Sequence, residues 1–518
     1  MSSVWRNLVA ILVAAALLLP LVSLWLPNWE PAGRTPVGGL SLEGENFAAS
    51  LAVAAASAAV AVAVGSGLAA LFVLTDFPGR TFWSTICLTP FVTPPAVWAL
   101  GQVYCYGPGG TIELLLGDGW RGPLARWNAG HYLSTVVVLA EVHAPLAMLV
   151  VGRGMARLHR AGLEPALLFL TPLRLVVWAE RALRSVWLAA FFLTFALALG
   201  NFAVPHVLQC RLYTIGVYTR MANYLDPSGS VRAAGPLLLA AVAAAALLAC
   251  AERRPIPTLG TTPTAVRVRL GRWIWICGPL LLAFVAGTSL LTMLVTVSQC
   301  RSVPLFLQAV REAAPETENS LLIAAAAAGI ACLAGTVVAA WLTFLPRLAK
   351  RLLTLTPLGV PGLVVGLAYV RFYNRDWPFD PALLGGSVLV VLGLGFRAWP
   401  FAQRIVAQAV ESMPRQWDEA AQIGGLTFWR RRWWIAFPVL RNDVWAAAVI
   451  AFVLAVGEVE ISQMLCAPGQ GTLALRLFTF LHFGPTHVAA SLATLLWGVA
   501  LLPVLLYYLL LNRCPPMV

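Results

Sequence analysis

Apolar residues in this chain come in long unbroken runs, not at the three-to-four-residue spacing of a half-buried surface helix. The runs at residues 8–26, 48–74, 320–345 and 488–511 each reach about the 20 residues that span hydrocarbon. Read along the whole sequence, the same pattern predicts about twelve crossings. They fall at residues 8–26, 48–74, 82–103, 132–152, 186–209 and 234–251, then 274–297, 320–345, 352–372, 385–403, 442–465 and 488–511. The expected fold is an all-α polytopic membrane protein. Arg6 precedes the first run as in a secretory signal, but no small-x-small cleavage site follows Leu26, so the run is read as a membrane anchor.

The pattern then repeats. Leu88-Thr89-Pro90 with Pro94 matches Leu355-Thr356-Pro357 with Pro361, and Phe77-Pro78-Gly79-Arg80 is echoed by Phe344-Leu345-Pro346-Arg347. Leu197-Ala198-Leu199-Gly200-Asn201 matches Leu454-Ala455-Val456-Gly457-Glu458. Each copy holds an even number of predicted crossings, so the two enter the membrane in the same orientation, as a parallel repeat. Residues 1–251 form the first copy and 274–518 the second. Between them, residues 252–273 carry Pro255, Pro257, Gly260 and Pro263 and read as a polar linker that cannot cross hydrocarbon. Prolines inside the third and ninth crossings either kink these helices for packing or break them along a transport route.

Hydrophobic residues are 60% of the 518 and charged ones 11%, with a mean hydropathy of +0.80. Soluble domains are roughly 45–50% apolar, so a water-soluble fold is excluded. A formal charge of +13 would suggest nucleic acid in a soluble protein, but topology accounts for it here and no nucleic-acid partner is expected. With the N-terminus inside, the inner segments hold Arg153, Arg157, Arg160, Arg174, Arg181 and Arg184, then Arg253, Arg254, Arg267, Arg269 and Arg272, then Arg347, Lys350 and Arg351, and last Arg397, Arg404, Arg415, Arg430, Arg431, Arg432 and Arg441. This positive-inside asymmetry puts both chain ends in the cytoplasm and the lipid bilayer around the body.

The most informative segment is residues 411–441, between the tenth and eleventh crossings. Trp417 to Ile423 suits a short helix with acidic residues near its start, and Gly424-Gly425 can end it in a left-handed turn. Arg430, Arg431, Arg432, Trp433 and Trp434 suit an amphipathic stretch at the headgroups. The segment resembles the inner-membrane permeases of binding-protein-dependent ABC importers, whose signature is EAA, three residues, G, nine residues, I-x-L-P. Glu419-Ala420-Ala421, Gly425, Ile435 and Pro438 stand at those spacings, with Phe437 replacing the leucine. The resemblance implies two six-helix MetI-like repeats and a coupling helix seated on an ATPase subunit. It also implies a periplasmic or lipid-anchored binding protein and a bacterial inner-membrane location. In the first copy, the corresponding stretch 157–184 departs from the pattern. Glu164-Pro165-Ala166 is a damaged match, Leu170 stands where glycine belongs, and Leu183 takes the place of Pro438, so docking there is open.

A phosphate-binding loop needs a lysine after glycine, and the single lysine, Lys350, sits between Ala349 and Arg351. ATP and its magnesium are therefore expected on a partner ATPase, in two copies, with no cofactor or catalytic residue in this chain. The nine cysteines show no metal spacing, and no metal site is expected; Cys105, Cys210, Cys300 and Cys466 fall near the predicted outer face, where a disulfide is chemically possible.

Charged residues inside crossings are costly and so mark either pairing or a pathway. Glu141, Asn201, Glu458 and Glu460 are the pathway candidates, with His143 beside Glu141. Glu458 and Glu460 either face a hydrated route or serve structurally, pairing with an arginine or capping a broken helix. Two residues apart, they cannot face one side of an unbroken helix. The stretch from Gly457 through Pro468-Gly469 to Phe480-Leu481-His482-Phe483-Gly484 looks most like fused ferric-iron permeases. Thiamine, polyamine and oxyanion permeases share the layout or the coupling loop, and an ion-driven secondary transporter would also explain buried carboxylates.

Overall fold

The computed structural model describes residues 11, 17–22, 24, 43–117, 132–169, 171–224, 226–251, 269–341, 346, 354–373, 387–413 and 415–511. These residues are overwhelmingly helical, with no strand among them, and the expected all-α polytopic build is what the structure shows. In the first copy the helices are α1 (Glu43–Ala69), α2 (Arg80–Ile86), α3 (Thr89–Val92), α4 (Pro95–Tyr106), α5 (Tyr132–Phe169), α6 (Pro172–Leu199), α7 (Ala203–Val207), α8 (Tyr213–Ala222) and α9 (Pro227–Ala251). The second copy opens with α10 (Ile274–Val285) and α11 (Leu291–Ser298). It continues with α12 (Ala314–Trp341), α13 (Gly362–Tyr373), α14 (Ser387–Ser412), α15 (Arg415–Ile423), α16 (Phe437–Val456), α17 (Glu460–Leu465), α18 (Leu473–Phe483) and α19 (Thr486–Leu511).

Among the described residues, nine helical stretches are long and apolar enough to cross a membrane, and a tenth is the bent pair Arg80–Val92 with Pro95–Leu116, which meet at 98°. The bend falls at Thr93-Pro94, where the chain leaves helical geometry before Pro95 opens α4. In the second copy the same break comes at Val360-Pro361, between helical residues 354–359 and α13. A proline lacks the N–H that would continue the ladder, and it pushes the preceding residue out of the helical region. Most of the first predicted crossing, and residues 252–268 of the linker, lie outside the described residues.

The fifth and eleventh crossings are shorter than their apolar runs implied. Helix α6 stops at Leu199 and α16 at Val456, and the rest of each run forms the separate short helices α7 and α17. Gly200 and Gly457 mark the two stops. A second shared detail is invisible in the sequence. Ser50 of α1 accepts a hydrogen bond from the Tyr213 N–H that opens α8 (2.8 Å), and Ser320 of α12 accepts one from the Leu473 N–H that opens α18 (2.6 Å). Each serine satisfies a helix-end donor that has no partner within its own helix.

Contacts group the chain into two compact units, one of residues 31–303 with 358–361, the other of residues 1–30, 304–357 and 362–518. Of the described residues, 17–22 and 24 fall in the unit that holds most of the residues after 304, and 269–303 in the unit that holds 43–251. In the first unit, Gly101 of α4 has no side chain to obstruct Thr292 of α11, and Tyr106 donates to the Gly287 carbonyl (3.3 Å). In the second, Tyr369 and Arg371 of α13 donate to the carbonyls of Leu17 (3.3 Å) and Leu24 (3.1 Å). The cysteines are free thiols among the described residues, with Cys105, Cys210 and Cys300 buried.

Helices α1 and α5 meet through small residues: Ala61, Ala140 and Ala144 pack together, and a methyl group on Gly65 would sit 2.7 Å from the Ala144 carbonyl oxygen and the Met148 nitrogen. Around Gly67 there is open space. Gly65→Val should therefore lower the unfolding midpoint of the detergent-purified protein, by about 1–3 kcal/mol of stability. Gly67→Ala should leave it unchanged or slightly raised; equal midpoints for the two would contradict the close α1–α5 approach.

Candidate functional site

The segment 411–441 forms a distinct short helix, α15, between the ends of two long ones. Its start is set by the turn after α14, and its end by Gly424 and Gly425. Gly425 has φ +75°, Leu426 N–H donates to the Ala421 carbonyl (3.1 Å), and Gly425 N–H donates to the Gln422 carbonyl (3.0 Å). This is the doubly bonded left-handed stop in which glycine avoids the Cβ clash of other residues. The sequence placed this stop correctly. Ala421 is buried, whereas Glu419, Ala420, Gln422 and Gly425 are exposed and Ile423 is 88% exposed. At the far side of the segment, Ile435 lies half-buried in a π-helical turn, Arg432–Ala436, that leads into α16, and Pro438 is exposed in the first turn of α16. Ala436 and Leu440 pack with Ala409 of α14, backed by Val410, Met413 and Val444, so the roots of α14 and α16 are held together beneath α15.

No short helix of that kind forms in the first copy. Glu164 falls inside α5, which runs on to Phe169, and α6 begins at Pro172. The expected separate loop element is thus replaced by the ends of two long helices. The reason is local: Leu170 offers no glycine for a left-handed stop, and Pro172 is pre-set for the first turn of the next helix.

The four pathway candidates divide between two sets of contacts. Glu141 of α5 accepts hydrogen bonds from Trp98 Nε1 (3.0 Å) and Gln102 Nε2 (2.8 Å) of α4, two buried residues that sequence reasoning had not singled out. Asn201 is buried at the break between α6 and α7, and its Oδ1 accepts the Val204 N–H (2.9 Å), supplying a donor at the start of α7 with a partner. His143 is buried on α5.

The second copy carries charge at the equivalent break. Glu458 lies between α16 and α17 and pairs with Arg397 of α14, Oε2 to Nε 3.2 Å. Glu460, only 4% exposed, opens α17 and accepts the Leu363 N–H at the start of α13 (3.1 Å). The interruption at Gly457 lets both carboxylates turn to one place: a methyl group on Gly362 would lie 2.6 Å from Glu458 Oε1 and 2.7 Å from Glu460 Oε2. Of the two readings open in the sequence, pairing with arginine and capping a broken helix are the contacts observed. Arg397, counted in the sequence with the inner-face arginines, lies within the apolar span Ser387–Val410, as Arg404 does, and a charge there is expected to find a carboxylate partner. Among the described residues no cluster of three or more metal-ligating side chains occurs.

The described residues thus combine apolar spans broken at Pro94, Pro361, Gly200 and Gly457 with a short capped helix, α15. The chain is similar to the ferric transport system permease protein FbpB of Actinobacillus pleuropneumoniae, at 22% identity over 460 residues, 84% of this chain and 66% of the relative. It is also similar to the putative ferric transport system permease protein FbpB 1 of Haemophilus influenzae, 23% identical over 412 residues, 74% of this chain and 64% of that protein. The putrescine transport system permease protein PotI of Escherichia coli K12 is 24% identical over 201 residues, 37% of this chain but 70% of its own length. The chain thus spans a little under two thirds of the ferric relatives' length. No family model matches it.

Because Gly425 sits in the left-handed region, Gly425→Ala should loosen the end of α15 by about 1–2 kcal/mol, read as faster amide hydrogen exchange at residues 420–426. Gly425→Asn, which tolerates that geometry, should exchange close to wild type. Identical exchange in the alanine variant would contradict the assigned stop.

Proposed function

We propose that this chain is the membrane-spanning permease of an ATP-binding-cassette importer, passing its cargo from an external binding protein to the cytoplasm by alternating access. The observation that carries the reading is α15. It is short and capped, lies between α14 and α16, whose facing ends pack together, and leaves Glu419, Ala420 and the apolar Ile423 exposed. An isoleucine left 88% exposed at the tip of an ordered helix fits a surface that a partner covers. The spacing from Glu419 through Gly425 and Ile435 to Pro438 supports an ATPase subunit as that partner. On this reading α15 and both chain ends face the cytoplasm, and two ATPase copies hydrolyse magnesium-bound ATP. The permease changes shape without covalent chemistry of its own. Small residues at Ala420 and Gly425 permit close approach between moving subunits.

Ferric iron is the cargo class we favour, because the similarity to ferric permeases extends over 84% of the chain. The match to a putrescine permease keeps a polyamine as the second reading, and radiolabelled uptake competed by each cargo separates the two. An ion-coupled secondary transporter has no use for α15, and a preparation that transports without any ATPase would favour it.

Glu419→Ala should cut ATP-driven ferric uptake in membrane vesicles about tenfold or more, as expected for a central contact of an interface, and Gly425→Glu should abolish it while leaving the protein in the membrane. Glu164→Ala should have a milder effect, since no separate docking helix forms around it. Unchanged uptake in Gly425→Glu would overturn the docking role, and equal losses for Glu164→Ala and Glu419→Ala would overturn the asymmetry.

A further inference from the structure

Both long helices that leave the α15 segment converge again at the Arg397–Glu458 pair. Helix α14 runs from Ser387 to Ser412 with Pro400 inside it, so Arg397 lies about 22 Å along the helix from the end next to α15, with one ladder hydrogen bond missing on the way. Helix α16 runs from Phe437 to Val456, about 30 Å, and stops two residues before Glu458. Phe396 and Trp399 beside it on α14 are completely buried, and Arg397 itself is 18% exposed. The pair extends to a third helix, since Glu460 holds the Leu363 N–H and both carboxylates close around Gly362 at the start of α13. Among the described residues of the first copy, the matching break carries Asn201 where the second carries Glu458. Asn201 is neutral and caps its own short helix, so the charged version of the break belongs to the copy that also carries the complete α15.

We propose that Arg397 and Glu458, with Glu460 seated on the N-terminus of α13, form a latch that holds the second copy in its resting conformation and restrains ATP hydrolysis until α15 moves. Displacement of α15 reaches the latch through two rods of different length, and a shear between them separates Arg397 from Glu458. The two side chains are only partly exposed, 18% and 14%, and breaking a pair within an apolar span leaves a charge that is costly there. It also keeps the break in α16–α17 and the start of α13 in register, which are the places where backbone groups lack partners within their own helices. Arg397, Glu458 and Glu460 are positioning residues in this scheme and need not touch cargo. The proposal rests on α15 being the ATPase dock.

The test is the rate of Mg-ATP hydrolysis, without binding protein or cargo, in permease–ATPase complexes purified in lipid nanodiscs. Arg397→Ala and Glu458→Gln should each raise this unstimulated rate about tenfold. The double variant Arg397→Ala/Glu458→Gln should show no more than either single change, because one interaction is being removed. The exchanged pair Arg397→Glu/Glu458→Arg should bring the rate back toward wild type. Glu458→Gln keeps the shape of the side chain and serves alone if Arg397→Ala does not accumulate in the membrane. Wild-type rates in single variants that still carry the ATPase would overturn the latch and leave the docking reading intact. A wild-type permease that retains no ATPase on purification would instead overturn the docking reading and, with it, the latch.

Discussion

A helix interrupted inside hydrocarbon exposes N–H and C=O groups that only the protein can satisfy, and this chain interrupts its helices repeatedly. Around those interruptions the polar side chains of the membrane-embedded body are arranged. Asn201 supplies the missing acceptor at the start of α7, and Glu460 supplies one at the start of α13. Ser50 and Ser320 do the same where α8 and α18 begin. A break that is satisfied in one arrangement can be satisfied in another, whereas a continuous helix has a single arrangement, so the breaks are natural sites of movement. The long helices α5, α6, α14 and α16 are the complement: each joins distant points in one element.

Read as a repeat, the two halves of the sequence differ in the charge at their breaks and in the short helix α15. The second has a capped α15 and an ion pair at its break. The first has the ends of α5 and α6 in place of the short helix and a neutral asparagine at the break. Its buried carboxylate, Glu141, instead accepts from Trp98 and Gln102 on α4. On the proposed function, the second copy would receive force from the ATPase and the first would respond mainly through the shared fold.

Much of this was legible in the sequence because its cause is local. Apolar run length pointed to the nine stretches that are long enough to cross a membrane among the described residues, Pro94 and Pro361 marked breaks that the structure contains, and Gly424-Gly425 gave the end of α15. What the sequence hid depends on contacts between distant segments. Nothing in the neighbourhood of Arg397 names Glu458, 61 positions on, as its partner, and a positive charge near the end of an apolar run looked like an inner-face anchor. Gly362 passed unnoticed because its role is to leave room for two carboxylates brought by other helices. The approach of Gly101 to Thr292, 191 positions on, was hidden for the same reason. The ends of α6 and α16 were overrun because the apolar pattern continues through Gly200 and Gly457 while the backbone does not.

The proposed function depends on α15 being covered by an ATPase at the inner face. A photo-crosslinking residue placed at position 423, activated in intact membranes, tests it most directly. The account predicts a covalent adduct between the permease and an ATP-binding subunit, with no labelling of a cysteine at the same position by an impermeant reagent added outside. Absence of any ATPase adduct, or labelling of position 423 from the outer side, would contradict it.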